Sequence, residues 1–312
     1  MRVPPSSVDL PQARAFLDSR LRGDVTDVEL VGQGEWSRCF GFRHAGRELV
    51  VRFGRHVEDF RRDQLASRFA AKELPIPEVS EIGEAFGAWF AISSRVHGTP
   101  WEQLDDDAWT ATFPSILATL DALRLTDIAH TNGYGFWDGS GNAPHASWRD
   151  FLASVSNDPP DYRVHGWRAR LDELPASAKA FRHANARMLE LADALPSERY
   201  LVHNDLLNRN ALAADGRVTA VLDWGCSIYG DFLYELATFL FWAPWHAPID
   251  ADDTLAAAQR HYAAAGIDTP DLDARLRCCA LHIGLAHVGV NAFFGDLKTL
   301  RLTETRMLEF LD

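Results

Sequence analysis

Two short phrases, His203-Asn204-Asp205-Leu206-Leu207-Asn208-Arg209-Asn210 and Asp223-Trp224-Gly225, constrain this chain more than any other feature. The first has the form H-x-D-x4-N. The second is an Asp followed by an aromatic residue and a Gly, and it stands behind an apolar run, Val218 to Leu222, that reads as a strand. Between them Ala214-Asp215-Gly216 spells a hairpin turn, which returns the chain so that Asp223 arrives beside Asp205 and Asn210. Asp, Asn and His are also common loop residues, because their side chains bond nearby backbone, so the first phrase alone reads more readily as a turn. It is the pair, at this distance and behind a hairpin, that carries chemistry.

Asp205, Asn210 and Asp223 converge with carboxylate and amide oxygens, the donors that hard cations such as Mg²⁺ prefer over thiols and imidazoles. In the kinase arrangement, an Asp in the position of Asp205 orients an acceptor hydroxyl and takes its proton. An Asn five residues on and the Asp of the second phrase hold the ions that neutralise the phosphates, which makes Asn210 and Asp223 the metal ligands. The spacing points to an ATP- or GTP-dependent kinase.

The N-terminal third offers the matching nucleotide features. A helix is expected over Leu10 to Leu21, with Asp9 as a cap and Pro11 in the first turn. Val28 to Phe42 then reads as strand, Gly-containing turn, strand, with Gly32, Gly34 and Ser37 where a full loop would be G-x-G-x-x-G. Glycine lets backbone N–H groups approach phosphate, and the Ser37 hydroxyl can donate to it. After a second hairpin at Ala45-Gly46, the strand Glu48 to Phe53 carries Arg52 in the place of a nucleotide-gripping Lys. A helix over Val57 to Lys72 should supply an acidic partner, and Asp63 is preferred to Glu58, Asp59 and Glu73. The prolines of Leu74-Pro75-Ile76-Pro77 should end that helix. Strands Val79 to Gly83 and Ala88 to Val96 lead into Ser93-Ser94-Arg95-Val96-His97-Gly98, a hinge where Ser93 and Val96 would meet the base through backbone groups.

Beyond Gly98 the period changes to that of helices: Trp101 to Leu123, a stretch opening at Trp148, then Ala178 to Leu195, Tyr234 to Trp242, Thr254 to Ala265 and Leu272 to Phe294. Asp127 to Asn142 is a Gly-rich loop. A small β-rich lobe, residues 1–97, followed by a larger mainly helical lobe, residues 98–312, makes an α+β, bilobal fold with the site in the cleft. The net charge of −13 argues against nucleic acid as partner. No apolar run is expected to approach the roughly 20 residues of a membrane span, and the opening Met1-Arg2-Val3-Pro4-Pro5-Ser6-Ser7 lacks the core of a secretory signal, which leaves the cytoplasm as the expected location. Cys39, Cys226, Cys278 and Cys279 show no metal or disulfide spacing, and the adjacent pair reads as core.

With these phrases in place the chain resembles the aminoglycoside phosphotransferase family, and within it the hygromycin-phosphorylating branch. The likeness runs through Gly34-Glu35-Trp36-Ser37-Arg38, Leu74 to Val79, Thr131-Asn132-Gly133-Tyr134-Gly135, Trp148-Arg149-Asp150-Phe151, Leu201 to Asp205, Gly216 to Trp224, Gly230-Asp231, Tyr234-Glu235 and Phe241 to Trp245. The resemblance implies a protein-kinase-like fold, ATP or GTP with Mg²⁺, and a small hydroxylated acceptor, a cationic aminoglycoside. It also implies that Arg52 is no sign of a dead kinase. Asp231, Glu235, Trp242 and Asp127 are candidate acceptor contacts, since carboxylates and aromatics suit an amine-rich sugar. Asp231 has the alternative task of bracing the catalytic loop. A kinase for another hydroxylated metabolite, such as a macrolide, sugar or amino alcohol, and a nucleotide-binding pseudokinase are the competing readings. Intact Asp205, Asn210 and Asp223 count against the pseudokinase.

Overall fold

The computed structural model describes residues 8–21, 23–34, 37–193, 195–196, 198–207 and 209–312. Glu35, Trp36 and Asn208, and the segment 1–7 read for a leader, lie outside the described residues. The described chain enters α1 (Leu10–Leu21) through a reciprocal cap. Asp9 Oδ1 accepts the Gln12 N–H at 2.8 Å, and Gln12 Oε1 accepts the Asp9 N–H at 2.9 Å. β1 (Thr26–Gln33), β2 (Ser37–His44) and β3 (Arg47–Gly54) follow, the last two joined at Ala45-Gly46, where both residues take positive φ as a tight hairpin requires. α2 (Val57–Ala66) precedes β4 (Val79–Ala85) and β5 (Ala88–Ser94), and the five strands pair antiparallel in the order β1-β2-β3-β5-β4. On β3 Leu49, Val51 and Phe53 are buried against α1, together with Phe40, Phe42, Phe90 and Ile92. The period of two sends Val50 and Arg52 to the opposite face, which is the face of the cleft.

α2 stops at Ala66, short of the expected end at Lys72, and the prolines are not the cause. A 3₁₀ turn over Ser67–Phe69 takes up the last carbonyls, with Ser67 Oγ donating to Gln64 O at 2.8 Å. Ala71 and Leu74 then exchange backbone bonds at 3.0 and 3.1 Å.

Extended residues 95–98 carry the chain into β6 (Thr99–Pro100), α3 (Asp106–Leu125), β7 (Gly135–Phe136), α4 (Trp148–Ser154), α5 (Trp167–Asp172) and α6 (Pro175–Ala192). β8 (Tyr200–Val202), β9 (Ala211–Ala214), β10 (Arg217–Val221) and β11 (Ile228–Gly230) follow, and then α7 (Leu233–Trp242), α8 (Ala251–Ala265), α9 (Leu272–Phe294) and α10 (Leu297–Leu308). The helix expected over Trp101 to Leu123 is divided. Trp101–Gln103 forms a separate 3₁₀ turn, and Asp105 starts a new helix by accepting the Ala108 N–H at 2.8 Å. α5 and α10 fall outside the expected elements.

α9 is the axis of the helical core, with Cys278, Cys279, Leu281, Leu285 and Val288 fully buried. Contrary to expectation, this helix is long and apolar enough to cross a membrane by length and composition; 67% of its most apolar stretch is buried within the fold. Two small sheets frame the site, β10-β9-β6 and β7-β11-β8. The first ties the hinge to the hairpin between the two sequence phrases. Thr219 Oγ1 donates to His97 O at 2.8 Å, and a Cβ on Gly98 would lie 2.6 Å from that hydroxyl and 3.0 Å from Ala213 O, so only glycine fits there.

Candidate active site

The loop of the first phrase leaves β8 at His203, which is fully buried. Its Nε2–H donates to Leu222 O at 2.8 Å and its Nδ1 accepts the Asp205 N–H at 3.2 Å, so one imidazole fastens the first phrase to the strand end before the second. Burial pushes its pKa down to about 4, which keeps the ring neutral and able to do both. Asn204 follows in left-handed geometry, its amide Nδ2 donating to Cys226 O at 2.9 Å. Beneath it Glu235 Oε1 accepts the Asn204 N–H at 2.7 Å. Burial raises the Glu235 carboxyl to about 7, against the opposing effect of the backbone N–H groups of Asn204 and His203.

Asn210 Nδ2 donates to both Asp205 O, at 2.8 Å, and Asp205 Oδ2, at 2.9 Å. This spends the amide hydrogens on the loop and leaves the Asn210 Oδ1 as the oxygen to offer a cation. The Leu222 N–H donates to Asn210 O at 2.7 Å, and Asp223 follows at φ 57°, a left-handed conformation that Asp tolerates better than most residues. Asn210 is thus tied to Asp205 by its amide, and the Leu222 backbone bond brings Asp223 beside them, an all-oxygen set suited to Mg²⁺.

Arg52 reaches this group from β3. Its guanidinium pairs with Asp63 Oδ2, lies 3.7 Å from Asp223 Oδ2, and packs over the Phe60 ring. The other Asp63 oxygen accepts the Trp224 N–H at 2.8 Å, so α2, β3 and the Asp223-Trp224-Gly225 segment meet at one buried carboxylate. A cavity of about 650 Å³ runs from there to the hinge, lined by Gly34, Ser37, Arg52, Asp63, Ser93, Val96, Asn210 and Asp223 among others. Among the described residues, Cβ atoms added at Gly32 and Gly34 would approach no atom closer than 3.9 Å, so these glycines leave the cleft wall open for a ligand to approach. Asp205 opens instead onto a smaller cavity of about 140 Å³, which Ser37, Arg52 and Asp223 also line. Asp223 borders both spaces.

The four candidate acceptor contacts do not join this group. Asp231 is buried, with Arg275 Nε and Nη2 donating to its two oxygens at 2.8 and 2.7 Å, and it receives the Leu233 N–H at the start of α7. Glu235 is the brace of the catalytic loop, the task that the sequence offered to Asp231. Trp242 packs its ring among Phe241, Trp245 and His287, at 4.9, 5.4 and 4.7 Å. Asp127 is exposed and caps its own turn by accepting the Ala129 N–H at 2.9 Å. None of the four lines either cavity. Arg209, unremarked in the sequence, lines the larger one in left-handed geometry; a basic residue beside Asn210 was its signal.

The model of the phosphotransferase enzyme family matches residues 27–274. Hygromycin-B 4-O-kinase of Escherichia coli is 33% identical over 263 residues, covering 84% of this chain and 73% of that protein. The crystal structure of aminoglycoside phosphotransferase APH(4)-Ia superposes with a TM-score of 0.83 at 30% identity, over 96% of this chain and 97% of the other. A thermostable mutant of the same enzyme, in ternary complex with AMP-PNP and hygromycin B, gives a TM-score of 0.82 at 29% identity, over 95% and 97%. With a site assembled from one loop, one hairpin and one sheet strand, and with a match that spans most of its length, the chain belongs to the phosphotransferase enzyme family and has the bilobal kinase-like fold of the aminoglycoside phosphotransferases.

Proposed function

We propose that this enzyme transfers the γ-phosphoryl group of ATP to a hydroxyl of an aminoglycoside, hygromycin B first among them, with Mg²⁺ as cofactor. One observation carries the reading: the Asp205 carboxylate, held by the Asn210 amide at 2.9 Å, lines the small cavity that meets the nucleotide-sized one at Asp223. An acceptor hydroxyl in the small cavity gives its proton to Asp205 as its oxygen forms the new bond to phosphorus, and ADP departs on the nucleotide side. Asn210 Oδ1 and the Asp223 carboxylate would hold Mg²⁺, which supplies charge neutralisation at the phosphates. Arg52, set by Asp63, adds a fixed positive charge that a terminal phosphate can meet. Residues 1–97 cover the nucleotide, and residues 98–312 carry the base and the metal ligands.

ATP rather than GTP is favoured because the similar enzyme APH(4)-Ia binds AMP-PNP in its ternary complex. The name of the Escherichia coli relative gives the 4-hydroxyl of hygromycin B as the first position to examine. The cytoplasm, where ATP is made and thiols stay reduced, suits an enzyme whose four cysteines are all unpaired. The test is a coupled ADP-release screen of hygromycin B, other aminoglycosides, macrolides and simple amino alcohols, with the phosphorylated position read by NMR. Hygromycin B should give the largest kcat/KM, and Asp205→Ala should lower kcat by about 10² to 10⁴ with nucleotide affinity kept. Turnover of a macrolide or amino alcohol with none for any aminoglycoside would replace the acceptor; an Asp205→Ala enzyme at full rate would remove the mechanism.

A further inference from the structure

The smaller cavity contains a residue that the mechanism leaves unused. Asp59, in the first turn of α2, lines it together with Asp205, and its side chain is only 15% exposed. Asp59 Oδ1 accepts from Arg163 Nη2 at 2.6 Å. Arg163 belongs to the segment between α4 and α5, so the pair crosses from the sheet side of the cleft to the helical side. It does so beside the catalytic carboxylate. A Cβ placed on Gly225 would sit 3.3 Å from the Asp59 carboxyl carbon and 3.3 Å from Asp223 Oδ1, so Asp59 and Asp223 flank one glycine. Three carboxylates therefore surround one small space, and the guanidinium bridging it is supplied by the protein itself.

Resting on the reading of the enzyme as a kinase for a cationic acceptor, we propose that Asp59 is an acceptor-recognition carboxylate whose seat Arg163 holds until an acceptor ammonium group displaces it. The remaining cations of the cavity, Arg52 and Arg55, lie on the β3 side and are left for the terminal phosphate, while His56 completes the wall. Exchanging one cation for another at a nearly buried carboxylate keeps that carboxylate paired throughout. This avoids the cost of an uncompensated charge and makes binding selective for amines over neutral sugars. Arg163 is then a competitor of the substrate, and removing it should help binding, whereas removing Asp59 should hurt it.

That opposition of signs is the test, with hygromycin B as the acceptor. Asp59→Asn should raise the acceptor KM at least tenfold, with the ATP KM within twofold of wild type and kcat within threefold. Asp59→Glu, which keeps the charge, should recover most of the loss, and thermal melts should show all variants folded. Arg163→Gln should lower the acceptor KM severalfold. If both Asp59→Asn and Arg163→Gln raise the acceptor KM, the pair is a structural latch between the two sides of the cleft and the proposal falls. It falls equally if either substitution leaves the acceptor KM unaltered. A wild-type enzyme that phosphorylates no aminoglycoside overturns the parent reading and this one together, whereas wild-type turnover with insensitive variants overturns only the role of Asp59.

Discussion

His203 and Glu235 brace the same loop from below and titrate in opposite senses. Neutral His203 donates to Leu222 O and accepts the Asp205 N–H, and burial lowers its pKa to about 4. Its stabilisation is complete above the ordinary value of 6.5 and is lost as pH falls through 4. Glu235 runs the other way. Its folded pKa is raised to about 7 from 4.5, so its stabilisation is complete below pH 4.5 and is lost as pH rises through 7. At about 1.4 kcal/mol per unit, the swing amounts to roughly 3 kcal/mol. Glu235→Gln keeps an oxygen for the Asn204 N–H and removes the ionisation. Relative to wild type, the variant should gain stability by up to about 3 kcal/mol between pH 4.5 and pH 8, read from urea midpoints at both pH values. A stability gap that stays constant across that range would mean the carboxylate pays no burial cost there. Sequence alone could not separate Asp231 from Glu235, four residues apart with the same charge. Which one meets Arg275 on α9 and which one meets the catalytic loop is decided by packing 44 and 31 residues away.

At the scale of elements, what was legible was local and what was missed was not. The hairpins at Ala45-Gly46 and Ala214-Asp215-Gly216 follow from residues that accept positive φ, and β3 follows from its alternation, which also placed Arg52 on the cleft face. The three-residue set of Asp205, Asn210 and Asp223 was legible for the same reason, because its geometry is built by one loop and one hairpin. The end of α2 was not, since Ser67 and the Ala71 to Leu74 turn outweigh the prolines beyond them. Asp63 was read as the partner of Arg52; its second bond, to the Trp224 N–H at a sequence distance of 161, is a tertiary fact. That second bond makes a specific difference between two substitutions. Asp63→Ala leaves the Arg52 guanidinium only its longer approach to Asp223 and strands the Trp224 N–H, and should cost about 3 to 5 kcal/mol. Asp63→Asn retains an acceptor for Trp224 and should cost about 1 to 3 kcal/mol less than the alanine change. Denaturant midpoints compare them directly, and equal losses would show that the bond to Trp224 contributes nothing.

For the whole molecule, the cleft is where the antiparallel sheet and the helical core share a ligand surface. The larger cavity takes Gly34, Ser37, Arg52 and Ser93 from the sheet and Asn210, Leu212, Val221 and Asp223 from beyond the hinge. Beside that space the two sides are tied by the Asp63 bond to Trp224, the Arg62 bond to Gly225 O, the Gly139 N–H bond to Glu58, the Val221 N–H bond to Pro75 O, the Arg52 approach to Asp223 and the Asp59 pair with Arg163. A nucleotide filling the cavity would add to these ties and stabilise the native state by mass action, about 2.7 kcal/mol at a hundred times its dissociation constant. For a chain of this size that corresponds to a rise in Tm of roughly 4 °C. AMP-PNP with Mg²⁺ should give this rise in wild type and in Asp205→Ala alike, because Asp205 lines the smaller cavity and not the larger one. Asp223→Ala should abolish it, because Asp223 borders the larger cavity as well and is the carboxylate assigned to the metal and the phosphates. Melting curves with and without EDTA measure the effect, and an equal shift in the Asp223→Ala protein would move the metal site away from this residue.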